Sequence, residues 1–300
     1  MMRMKRRYGW WLPGLLGLAV FLAPAARADG TGRQFRVATT FYPVYITTLN
    51  IAGGIDGVSI VNMAPPFTGC LHDYQFTPRD MAILADVDIL VANGAGSEPF
   101  LEKILKQTKR LKVIDASRDI ALVKSADGEI NPHTWLGVTL LMTQTVTIAE
   151  GLASADPPRA DRYRTNAWRY IEKLVQLRAA MRETIGPLAR KEIVTFHDAF
   201  PYFNREFGLI VHAVIEAHPG ESPGASELAA TITSMRKRGV KVIFVEPQYP
   251  AHTAEIIARE TGARIYRLDP AVTGPLRADA YLDIMRANMT ELKRALQSNP

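Results

Sequence analysis

The chain has a single cysteine among its 300 residues. Cys70 has no intramolecular partner, so no disulfide staples the fold and stability must come from a packed core. A strong charge of one sign is missing too. The formal charge is +6, from 36 basic and 30 acidic residues, but Arg3, Lys5, Arg6, Arg7 and Arg27 all lie in the first 28 residues, which contain no acid; beyond them the balance is 31 to 30. Such a balance gives no case for nucleic acid, which calls for a strongly basic surface. Long hydrophobic runs are scarce as well. The run Trp10 to Ala23 has 14 residues, short of the roughly 20 that a bilayer span requires. It follows a short basic stretch and precedes Ala26-Arg27-Ala28, small residues at the spacing an exporting peptidase accepts. Residues 1–28 therefore read as a secretory signal peptide, and the mature protein is expected in the periplasm. No cysteine stands at the cleavage site, so no lipid anchor is expected there.

Beyond the leader, the chain alternates between strand-like and helix-like patterns. Strands are expected over Phe35 to Phe41, Val58 to Met63, Ile89 to Ala92 and Lys112 to Ile114. Helices are expected over Pro43 to Ala52, Pro78 to Ala85, Glu98 to Thr108 and Leu140 to Ala153, with Thr77-Pro78 supplying an N-cap and first-turn proline. A much longer helix opens at Asp156-Pro157-Pro158 and runs to Ile185, where Gly186-Pro187 stops it. Its stripe of Tyr163, Ala167, Tyr170, Leu174, Leu177 and Met181 keeps helical spacing, and its length is roughly 40 Å. The alternation then resumes, with strands at Glu192 to Phe196, Ile210 to Ile215, Val240 to Val245 and Arg264 to Leu268, and a last helix from Ala280 to Leu296. The fold class expected is α/β: two similar lobes with mainly parallel sheets, joined by one long rigid helix. The corresponding domains are 29–156, the linking helix 157–186, and 187–300. The order of elements repeats, with no repeat in the sequence itself.

Of the six histidines, His72, His133 and His197 sit in loops or at strand ends, as does Asp269. In open α/β sheets, ligands gather beyond the carboxyl ends of the strands. Three imidazoles and a carboxylate form a donor set that zinc accepts. A structural reading of each histidine alone stays open at this point. His212 falls within a strand, and His218 and His252 look like loop or helix-start residues.

The chain resembles the periplasmic solute-binding proteins of zinc and manganese ABC importers. The matching segments are Thr-Thr-Phe-Tyr-Pro at 39–43, His-Asp-Tyr at 72–74 with Thr-Pro-Arg-Asp at 77–80, Ala-Asn-Gly-Ala-Gly at 92–96, Asn-Pro-His-Thr-Trp-Leu at 131–136, Phe-His-Asp-Ala-Phe at 196–200, Phe-Val-Glu-Pro-Gln at 244–248 and Leu-Asp-Pro at 268–270. They keep the family's order over residues 35–296. The resemblance implies a metal held between two lobes by His72, His133, His197 and Asp269, no catalysis, no cofactor beyond the transported ion, and a membrane permease as partner of a monomer. Three imidazoles favour zinc, with manganese or iron as alternatives, since carboxylate-rich sites suit manganese. A zinc hydrolase and a surface adhesin are the competing classes; for the first, Glu246 would be the candidate base. Three departures from the family stand out. Gly137 replaces a common Asp, which is expected to loosen support around His133. The long histidine- and acid-rich loop of many zinc members is absent. Cys70-Leu71 stands where Asp-Pro is common, and Cys70 is expected to be a small loop residue beside the site that does not bind the metal.

Overall fold

The computed structural model describes residues 33–71, 74–108, 110–125, 128–216 and 223–297. The expected leader and His72 lie outside them, as does His218. In the N-terminal lobe, strands β1 (Phe35–Thr39), β2 (Val58–Asn62), β3 (Ile89–Ala92) and β4 (Lys112–Asp115) form an all-parallel sheet in the order β2-β1-β3-β4. Helices α1 (Tyr42–Ala52), α2 (Pro78–Asp86), α3 (Leu101–Gln107) and α4 (Val138–Ala155) accompany it. The C-terminal lobe has β5 (Glu192–Thr195), β6 (Ile210–Val214), β7 (Val242–Val245) and β8 (Arg264–Arg267), again all parallel, in the order β6-β5-β7-β8. Its helices are α6 (Pro201–Phe207), α7 (Ala225–Arg238), α8 (His252–Thr261) and α9 (Ala280–Gln297). The two sheets thus share one strand order. In each, the chain turns both ways from its first strand, leaving a crevice at the carboxyl ends of β1 and β3 and of β5 and β7.

Local chemistry explains the elements that frame these crevices. Helix α2 opens with a reciprocal cap: Thr77 Oγ1 accepts the Asp80 N–H at 3.3 Å, while Asp80 Oδ2 accepts the Thr77 N–H at 2.8 Å. Tyr74 donates its hydroxyl to the same carboxylate at 2.9 Å, which ties down the end of the preceding loop. Helix α3 begins at Leu101, three residues later than the sequence pattern predicts. The reason lies in Glu98. Its buried carboxylate turns back to accept the Thr40 hydroxyl and the N–H groups of Asn93 and Gly94, so it organises the loop after β3 and does not open a helix.

The connecting helix is α5 (Ala160–Ile185), 26 residues or about 39 Å long. A 3-10 turn, Pro157–Arg159, precedes it, because the two prolines suit a tight first turn that the α-helix then leaves behind. Tyr163, Ala167, Tyr170, Leu174, Leu177 and Met181 are all buried, together with Ile185, in the expected stripe. That stripe packs against α1 and α4 of the N-terminal lobe and against α6 and α9 of the C-terminal lobe. The lobes are also joined away from α5. One apolar core runs from Phe41, Trp135 and Leu136 through Leu174 to Phe200, Leu268 and Leu282. Tyr42 donates its hydroxyl to the Pro275 carbonyl at 3.0 Å, and Asn50 its amide to the Ala278 carbonyl at 2.7 Å. The long helix is therefore one link among several, where the sequence pattern points to it alone.

Candidate metal centre

His197 follows β5 and Glu246 follows β7, so the pair flanks the crevice of the C-terminal sheet. His197 is 1% exposed and Glu246 2%. The His197 Nδ1–H donates to Glu246 Oε1 in a short contact, and Gln248 donates its amide to the other oxygen, Oε2, at 2.7 Å. With a carboxylate on Nδ1, the neutral imidazole carries its proton there and presents the Nε2 lone pair outward. Glu246 is thereby committed to orienting a histidine, a different task from the proton transfer a hydrolase would ask of it.

His133 comes from the opposite lobe, on the segment between β4 and α4, and is equally buried at 2% exposure. Its Nδ1 and backbone N–H both donate to Asn131 Oδ1, at 3.0 and 3.1 Å. Asn131 is itself held in one orientation. Its amide nitrogen donates to the Asp198 carbonyl at 2.6 Å and to Ser125 Oγ at 3.1 Å, which leaves the oxygen for His133. Trp135, on the 3-10 turn that comes next, packs its ring 5.2 Å from that of His133 and edge-on to Phe41. Support for His133 thus comes from Asn131, and Gly137 serves instead as the N-cap position of α4.

These two frames aim the imidazoles at one point. His133 Nε2 and His197 Nε2 are 3.3 Å apart. Two nitrogens bound to one tetrahedral zinc at about 2.05 Å stand about 3.3 Å apart. The third member is Cys70, whose Sγ lies 3.5 Å from His133 Nε2. Sulfur at about 2.3 Å and nitrogen at about 2.05 Å from a tetrahedral zinc are likewise about 3.5 Å apart. The ligand atoms of Cys70, His133 and His197 all fall within 4.8 Å of one another. Cys70 is expected to stand beside the site without binding; the structure places its thiol among the donor atoms, within reach of both imidazoles. Buried Leu71 anchors the loop beside it, and Gly69, at φ +83, supplies the left-handed turn that precedes it. Burial pushes the Cys70 thiol pKa well above its usual value, and the Glu246 carboxylate adds to the shift.

Asp269 stands at the carboxyl end of β8, half-buried, with its Oδ1 accepting the Ala271 N–H at 2.8 Å. It is not in the group formed by Cys70, His133 and His197. Burial raises its pKa to about 6; the Ala271 hydrogen bond opposes the rise and the charge of Glu246 adds to it. Asn288 fixes the backbone on both sides, accepting the Asp269 N–H and donating to its carbonyl. The remaining described histidines have other surroundings. His212 lies within β6, 2.9 Å from Ser234 Oγ, and His252 is exposed at the start of α8.

A profile described as "ZnuA: Zinc-uptake complex component A periplasmic" matches residues 37–295. The high-affinity zinc uptake system protein ZnuA of Bacillus subtilis (strain 168) is 30% identical over 294 residues, covering 90% of each chain. The solute-binding protein FpvC of Pseudomonas aeruginosa, solved in complex with Mn2+, has a TM-score of 0.80 at 32% identity, with 88% of this chain and 99% of FpvC covered. Zn(II)-bound AdcA of Streptococcus pneumoniae has a TM-score of 0.78 at 27% identity; the match covers 89% of this chain and 58% of AdcA. The family match spans both lobes, and the chain belongs to the ZnuA-type family of periplasmic solute-binding proteins, which serve ABC import systems as binding proteins and not as enzymes.

Proposed function

We propose that this protein captures a divalent metal ion between its lobes in the periplasm, zinc in the first place, and delivers it to the membrane permease of an ABC importer. The observation that carries the reading is the pair of buried imidazoles, one from each lobe, whose Nε2 atoms stand 3.3 Å apart with each Nδ1 held by an oxygen acceptor. Such pairs coordinate zinc, and the oxygen acceptors fix the orientation and tautomer of the rings. The proposed ligands are His133 and His197 with His72 and Asp269. The protein acts as a monomer exported by its leader. A relative favours a second cargo: FpvC has been solved with Mn2+ and also with Ni2+, so manganese or another divalent ion is the alternative.

Metal analysis of the protein recovered from its native periplasm without added metal, paired with competition affinities, tests the proposal. Stoichiometric zinc in the wild type, lost in His133→Ala with the fold intact, is the expected outcome. Protein that emerges metal-free and binds none of zinc, manganese or nickel would remove the basis for the reading.

A further inference from the structure

We propose that the Cys70 thiolate is itself a ligand to the captured ion and makes the site selective for thiophilic metals, zinc above all, over manganese. This rests on the metal-capture reading above and deepens it. Three observations converge. Cys70 Sγ lies 3.5 Å from His133 Nε2, the separation that a shared tetrahedral zinc would impose on sulfur and nitrogen. The His133 and His197 Nε2 atoms meet the corresponding nitrogen–nitrogen separation. Both rings turn Nε2, not Nδ1, toward this point, because Asn131 and Glu246 take the Nδ1 protons. All three donor atoms lie within 4.8 Å of one another, close enough to share one ion.

The chemistry then decides which cation. A thiolate is a soft donor that zinc, cadmium and cobalt accept readily, whereas manganese prefers carboxylate, carbonyl and water oxygens. A site that adds one sulfur to its imidazoles therefore discriminates through donor type, beyond the general preference of any nitrogen and oxygen site for zinc. On binding, the S–H bond breaks and the metal–sulfur bond forms, with the proton leaving to solvent; no oxidant or reductant takes part.

Cys70 is the only cysteine in the chain, so any thiolate signal reports on it alone. Cobalt is titrated into the metal-free full-length mature protein. The expected result is an intense near-ultraviolet sulfur-to-cobalt band that Cys70→Ser abolishes while cobalt still binds. In competition titrations, Cys70→Ser should weaken zinc at least tenfold and change manganese by less than threefold. A measurement on the unaltered protein guards against a variant that misfolds: stoichiometric zinc should protect the thiol from maleimide, and manganese should protect it far less. Cobalt bound without the band, or zinc-loaded protein alkylated as fast as metal-free protein, overturns thiolate ligation and leaves metal capture standing. A band that disappears with no change in the zinc-to-manganese ratio overturns the selectivity. A wild type that binds no metal at all overturns the functional reading as well.

Discussion

Trp135 donates its indole N–H to the Pro270 carbonyl at 2.8 Å. One side chain thus fastens the segment two residues after His133 to the residue following Asp269. Tyr281 reinforces the tie by donating its hydroxyl to the Trp135 carbonyl, also at 2.8 Å. Trp135→Phe keeps an aromatic ring in the core but leaves the Pro270 carbonyl without this donor. The cost should be about 1–3 kcal/mol of stability, with metal affinity reduced several-fold because the spacing of the two lobes loosens. Chemical denaturation and zinc titration of the same variant check both; a fully stable variant with weakened zinc binding would show that the tie matters to the site alone.

Glu246 holds His197 by its Nδ1, so its replacement should be felt at the metal. Glu246→Gln is expected to weaken zinc by 10–100-fold, the usual effect of losing such an acceptor, without unfolding the protein. Competition against a chromophoric chelator measures it. An affinity within twofold of wild type would mean that His197 needs no carboxylate to present Nε2.

On the proposed ligand set, Asp269 would supply the oxygen donor suited to manganese and Cys70 the sulfur suited to zinc. Asp269→Asn should therefore damage manganese binding more than zinc binding, the reverse of Cys70→Ser. Paired affinities for the two metals in both variants test the crossover, and parallel losses in both would contradict it.

Stability without metal should fall as pH rises through neutrality. Burial lifts the Glu98 carboxyl from 4.5 to about 7, against the pull of its hydrogen bonds from Thr40, Asn93 and Gly94. Asp269 is raised to about 6 for the same first reason. Between the unfolded and folded values the folded protein holds protons that the unfolded chain has released, so unfolding free energy declines with rising pH. For Glu98 the full effect is on the order of 3 kcal/mol. The Tm of the metal-free protein should drop between about pH 5 and pH 7.5, and Glu98→Gln should flatten that slope whatever it does to absolute stability. An unchanged slope in the variant would assign the effect elsewhere.

Metal binding should leave the outline of the molecule nearly unchanged. Periplasmic binding proteins can close through hinge rotation, but here α5 buries one stripe against both lobes and the core continues across them. Small-angle scattering should give the same radius of gyration with and without zinc, while hydrogen exchange slows in residues 125–136. A marked compaction on binding would contradict this rigidity.

The long-helix stripe was legible because seven buried positions keep helical spacing for 26 residues, and the parallel strands because β-branched runs alternate with helical ones. Helix boundaries were less legible. Glu98 belongs by spacing to a helix, yet its hydrogen bonds lie with Thr40 and Asn93, 58 and 5 residues away, and such partners leave no periodic trace. The histidines at lobe edges were visible as candidates, and Glu246 only as a possible base. Its bond to His197 spans 49 positions and requires the β5 and β7 ends to be neighbours. Cys70 reads from the sequence as a bystander because the resemblance places the ligand at His72 and a thiolate would be a surplus donor. The available hint was its lone presence two positions before His72, but only the fold of its loop brings the thiol to His133, 63 positions on.

The shared strand order of the two sheets divides the labour of metal recognition unequally. Each lobe presents one imidazole from its own scaffold, locked by a neighbour of that same lobe. The β2–α2 connection that bears Cys70 belongs to neither pair of central strands. Grip is thus inherited with the architecture, whereas preference is written on a peripheral turn that can be recast by a few substitutions. Exchanging residues 64–77 between relatives should move the choice of ion with the graft, while the paired imidazoles stay where they are.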